Sequence, residues 1–179
     1  MALKKNAAGF AIVTIDVDRL AQEETAAEAA KVKYGFGSKD PHPGSGAIDF
    51  TAIDCSGYCR SLLAFASHLE LMKARYPDGS YTQALWLIEQ GFAVKHITTA
   101  QEYAEAIADT ATVKQCFHYP NGRGGDKTGH TWLYLRDHPV ESCGGCGPTH
   151  SMVDNSWELA HCDLVVTIGP LVAAADWVA

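Results

Sequence analysis

The chain has 179 residues, enough for one domain with a full core and too few for two independent ones. With 47% hydrophobic and 20% charged residues it has the make-up of a globular protein, which excludes general disorder. A net charge of −7, with Lys4-Lys5 as the only basic run, argues against nucleic acid or an anionic membrane as the main partner.

The apolar part of the first sixteen residues is short, contains Gly9 and has no persuasive cleavage site, so it reads as neither a secretory signal nor a membrane span. The expectation is a chain made in the cytoplasm, which would reach the periplasm or cell wall, if at all, by a route without a signal peptide. Cys55, Cys59, Cys116, Cys143, Cys146 and Cys162 are then expected as reduced thiols rather than as a disulfide framework.

In chain order, residues 11–17 alternate apolar with small or polar side chains and predict a short strand. Asp16 or Asp18 caps a helix over 19–33, with Leu20, Ala27 and Ala30 on one side. The segment Ser-Lys-Asp-Pro-His-Pro-Gly-Ser over 38–45 is a loop, because its two prolines forbid helix. From Ser56 to about Arg75, Leu62, Leu63, Phe65, Ala66, Leu69 and Met72 recur at helical spacing, so a buried helix begins at Cys55. Ser80 opens a further helix through Gln90, with Gly91 as its stop, and Thr99-Ala-Gln-Glu102 is a capping box for another to about Asp109.

The second half changes period. Short β-branched or aromatic runs over 113–119, 131–135, 151–156 and 164–168 predict strands separated by turn-rich segments, and 136–149 reads as a loop. The end, from Leu171, is a short docked helix or a tail. Helices first and strands afterwards indicate an α+β domain with an antiparallel sheet, spanning 1–179, with a helical insertion around 80–109 between the candidate nucleophile and base.

A thiol at a helix N-terminus feels the positive end of the macrodipole, which favours thiolate, and this singles out Cys55. A cysteine nucleophile needs a base, and His130 opens a strand directly after Gly129, where the backbone can approach a neighbour closely. A third group, Asp, Asn or a second His, should orient that imidazole. In the next polar run, His150, Met152, Asp154 and Ser156 share a face by period-2 alternation.

These residues carry a resemblance. Asp54-Cys55-Ser56-Gly57, the upstream Tyr34-Gly35-Phe36-Gly37 and the Gly129-His130 strand resemble the NlpC/P60 family of papain-like cysteine peptidases over most of the chain, from about Ala26 to Ile168. The resemblance implies N-terminal helices packed on a central antiparallel sheet, and a peptidoglycan hydrolase. Cys55 is the implied nucleophile and His130 the base. Tyr34 stands beside the thiol, and Asp54 and Ser56 shape the pocket for the substrate's free amino end. Motif register places the third catalytic residue at Asp154, in preference to His150.

The chain departs from the family pattern at Phe36, where tryptophan is usual, at Ser38, where a second glycine is common, and at Thr131-Trp132, which replace Val-Gly. The implied substrate is a peptidoglycan stem peptide or muropeptide, cut between D-glutamate and the diamino acid by a lysin, an injected effector or a recycling enzyme. No cofactor is implied. The alternatives are a papain-like acyltransferase and an inactive binding module. Cys143-Gly-Gly-Cys146, flanked by His138 and His150, admits a structural zinc, a disulfide or a flexible loop.

Overall fold

The computed structural model describes residues 2–149 and 156–177. His150, Asp154 and most of the expected strand over 151–156 lie outside them. Ser156, the last residue of that expected strand, is helical.

Two short N-terminal strands, β1 (Lys4–Lys5) and β2 (Ala11–Ile12), form a hairpin, and β3 (Ile15–Asp16) leads into α1 (Val17–Ala29). Asp16 caps α1 by accepting from the amides of Asp18 and Arg19. A parallel pair, β4 (Lys33–Tyr34) with β5 (Ala52–Ile53), brackets the proline loop and delivers the chain to α2 (Cys55–Ala66).

The expected long helix after Cys55 is broken. His68 and Leu69 take positive φ values of 49° and 66°, and a separate turn, α3 (Glu70–Lys73), follows. The break lies where Gly44 of the proline loop packs so closely that a Cβ there would sit 2.2 Å from Leu69 Cδ2. Past the break, Leu71 and Tyr76 turn back into the core.

Residues 80–109 contain α4 (Ser80–Gln90), capped by Gly91 in the left-handed region, β6 (Ala93–His96) and α5 (Ala100–Ile107) with its Thr99–Glu102 capping box. The remaining elements are β7 (Thr112–His118), β8 (His130–Leu135), β9 (His138–Cys143), β10 (Gly147–Thr149), α6 (Ser156–His161) and β11 (Leu164–Val172). The main sheet runs β10-β9-β8-β7-β11-β3, with β6 also on β11. Its pairs are antiparallel apart from β11–β3, which is parallel, so the fold is mixed α and β. The C-terminal segment is a strand and then a 3-10 turn, Ala174–Asp176, after which Trp177 stacks on His68 at 4.0 Å between ring centroids.

Both faces of the sheet are covered. Leu133, Leu135, Phe117 and Val113 face Leu62, Leu63 and Leu87 of the helices that follow Cys55. The alternate residues Trp132, Tyr134 and Cys116 form a second core with Tyr103 and Ile107 of α5 and with Trp157 of α6. Two-sided burial explains why the central strands read as nearly continuous apolar runs. The stretch 80–109 therefore contributes α4 to one face, a strand to the sheet and α5 to the other face.

Beneath α1, Ser61 Oγ bonds both Glu23 Oε1 and Asp40 Oδ2. A hydroxyl has one proton to donate, so it can bond both carboxyl groups only while one of them is protonated. Burial, reinforced by the Asp40 charge and opposed by the Ser61 bond, pushes Glu23 up to about 7. The folded state then holds this proton more tightly than the unfolded chain. Its stabilisation is complete below about pH 4.5 and is lost as pH rises to about 7. Glu23→Gln should flatten that limb by roughly 3 kcal/mol, read from thermal unfolding between pH 4 and 8 (on the order of two to three pKa units).

Candidate active site

Cys55 is the first residue of α2 and is 6% exposed. The helix starts there because Asp54, extended at φ −89° and ψ 176°, caps it by accepting from the Gly57 amide at 2.7 Å. The approach to the thiol is fastened from several sides. Gly35 N donates to Ile53 O at 3.2 Å, Asp54 N to Ser38 O at 2.9 Å and Ser142 Oγ to Ile53 O at 2.9 Å. Tyr34 pairs with Ile53 across β4 and β5, and burial together with the nearby Cys55 and Asp54 raises its hydroxyl pKa.

His130 opens β8 opposite His118 of β7; its imidazole bonds Glu141, and Cys55 is near enough to raise its pKa. Nε2 lies on the Glu141 carboxylate, so the bond to Glu141 leaves Nδ1 uncommitted to it. The ring is also fixed by aromatic neighbours. Trp132 lies nearly parallel to it at 5.8 Å between centroids, and Trp157 meets it edge-on at 5.5 Å. Burial alone would lower the pKa of His130, but its interactions with Cys55 and with the bonded Glu141 carboxylate outweigh it and raise the imidazole to about 10. The ring is therefore held as imidazolium at neutral pH.

Glu141 is the residue that the sequence pattern did not reveal. It lies on β9, inside the stretch that reads as a loop, and its side chain is 3% exposed. β9 follows β8 through the two-residue turn Arg136-Asp137, with Arg136 at φ 52°. An Arg-Asp turn carries none of the Asn-Gly or Asp-Gly chemistry that marks a tight hairpin. The available signal was the alternation of Val140 and Ser142 with Glu141 and Cys143, read as a strand.

A cavity of about 390 Å³ opens at this end of the sheet, lined by Tyr34, Phe36, Gly129, His130, Glu141 and Trp157 among others. No residue of 80–109 lines it. Asp54 and Ser56 are buried at 7% and 3% exposure, outside its lining, and both bond Lys39 Nζ.

Behind the site runs a buried amide network. Gln83 Nε2 donates to Ser56 O at 2.9 Å, and Gln115 Nε2 donates to Gln83 Oε1 at 2.9 Å and to Thr131 Oγ1 at 3.1 Å. Tyr76 OH closes it on Gln115 Oε1. Its ends thus lie beside Cys55 and His130. Gln115→Leu would strand the Tyr76 hydroxyl and the Gln83 carbonyl without water, and should destabilise the protein by about 2–4 kcal/mol in denaturant unfolding.

Cys143 and Cys146 form a disulfide across the β9–β10 turn. Bonded to each other, they offer no thiolate pair to zinc, and the described residues hold no group of three or more His, Cys, Asp or Glu able to hold a metal ion. Among the described residues no helix is long and apolar enough to cross a membrane.

No protein-family model matches the chain, and no curated protein matches it. Among solved structures it is similar to a protein of Staphylococcus aureus described as similar to lipoprotein, NLP/P60 family, at 18% identity and a TM-score of 0.44. The match covers 85% of this chain and 41% of that one, so the chain spans less than half the length of that protein.

Proposed function

We propose that the protein is a cysteine peptidase or amidase that hydrolyses an amide bond of peptidoglycan stem peptides, with Cys55 as nucleophile, His130 as acid and base, and Glu141 as the group that orients His130. The observation that carries this reading is one imidazole bonded to a buried carboxylate, with the helix-start thiol of Cys55 near enough to raise its pKa. The peptidoglycan substrate, and the bond between D-glutamate and the diamino acid, rest on the motif resemblance.

The Cys55 thiolate attacks the amide carbonyl, and amides of the first turn of α2 receive the developing oxyanion. With the thiolate consumed, one of the two partners that hold His130 protonated is gone, so the imidazolium readily gives its proton to the departing amine. Neutral His130 then takes a proton from water, hydroxide attacks the thioester, and the carboxylate product leaves as the thiolate and imidazolium are restored. Mass analysis of defined muropeptides tests this. The expected result is two fragments whose masses sum to the substrate plus one water; an unchanged muropeptide is the contrary result.

The Cys143–Cys146 disulfide supports action in an oxidising compartment such as the periplasm. Expression directed there should lyse a bacterial host, whereas cytoplasmic expression should not. Lysis from both would contradict this part of the reading.

A further inference from the structure

We propose that Lys39 is a positioning and charge-compensating residue for Cys55: its ammonium closes over the first turn of α2 and neutralises the carboxylate that must stand beside the nucleophile to cap its helix. This rests on the reading of Cys55 as nucleophile.

The cap creates a conflict. A carboxylate at position 54 is needed to start α2 at the cysteine, yet a negative charge one residue from a thiol opposes thiolate formation. Lys39 resolves it. Its Nζ lies 2.6 Å from Asp54 Oδ1, 2.5 Å from Asp54 Oδ2 and 2.7 Å from Ser56 Oγ, so all three donors are spent on the residues either side of Cys55. Asp54 also accepts from the amides of Gly57 at 2.7 Å and Gly37 at 3.1 Å and from Ser56 Oγ at 3.0 Å. The pair is shielded, with 26% of the Lys39 side chain and 10% of the Asp54 side chain exposed.

Gly57 has its place in the same device. A Cβ there would lie 3.1 Å from Lys39 Cδ and 3.0 Å from Ser38 O, so the missing side chain is the path by which the lysine stem crosses the helix start. The titratable groups around the thiol are then the neutralised Asp54–Lys39 pair, His130 with Glu141 behind it, the Tyr34 hydroxyl, and Cys59 one turn along α2.

The test is the pH dependence of iodoacetamide alkylation at Cys55, read by peptide mapping in the full chain. Lys39→Met should move the alkylation midpoint up by about one pH unit, slowing alkylation about tenfold below it. Asp54→Asn keeps a capping oxygen but leaves the ammonium uncompensated, so its midpoint should move down. The double variant should return to the wild-type midpoint. A midpoint unchanged in Lys39→Met, or one that stays as displaced in the double variant as in Lys39→Met, would show a mere tether and overturn the proposal. If Lys39→Met does not fold, the Asp54→Asn shift decides: downward supports compensation, none or upward refutes it. Wild-type Cys55 reacting no faster than buried Cys116 would instead remove the nucleophile reading on which the proposal stands.

Discussion

Replacing Cys55 with alanine should abolish amide hydrolysis, with a loss in kcat of at least ~10⁴-fold, and leave the fold intact. The size of the effect follows from the site: the neighbouring hydroxyl, Ser56 Oγ, is buried and tied to Lys39 and Asp54, and Cys59, one turn along α2, is fully buried with its pKa pushed well up by that burial. The stability cost should be small, about 1 kcal/mol, because the residue is small and its cap, Asp54, is untouched. Cys55→Ser is the stricter control, since it keeps the side chain's size and removes only the thiol. Initial rates on a defined muropeptide, with thermal unfolding in parallel, read both halves of the expectation.

The second large effect belongs to Glu141. Glutamine at this position keeps the shape and one hydrogen bond but removes the charge that holds the imidazolium, and the expected loss in kcat is ~10²–10⁴-fold. The pH profile gives an independent signature. His130 is raised to about 10 in part by Glu141, so the basic limb of kcat/KM, which reports loss of that proton, should move to lower pH in Glu141→Gln. Asp154→Asn is the matched comparison, because motif register points to Asp154 and the structure places Glu141 on His130 Nε2. A larger loss at Asp154 than at Glu141 would assign the third role to Asp154. The folding consequence has a definite sign too: the raised His130 pKa stabilises the folded state fully below about pH 6.5, and this is lost as pH climbs through about 10.

Local signals carried far in this chain. The position of Cys55 at a helix start was legible because the Asp54 cap and the apolar stripe of Leu62, Leu63 and Phe65 are both local. The Ser80 and Thr99 helices were legible for the same reason, through Gly91 and a complete capping box. What stayed hidden depends on contacts distant in sequence. The break at His68 and Leu69 comes where the proline loop packs across it, and helical periodicity passes smoothly through it. β9 and its glutamate were concealed by a turn whose residues carry no turn signature. The Lys39 clasp joins residues 15 apart through a side chain that composition would assign to a solvated loop.

The central claim is that Cys55 forms a covalent acyl intermediate, and the most direct measurement is acid quench of a single turnover on a defined muropeptide followed by peptide mapping. The expected result is an added mass equal to the acyl half of the substrate on the peptide that carries Cys55, absent in Cys55→Ala and more persistent in Glu141→Gln. Acylation of another residue, or product release by Cys55→Ala at the wild-type rate, would contradict the account.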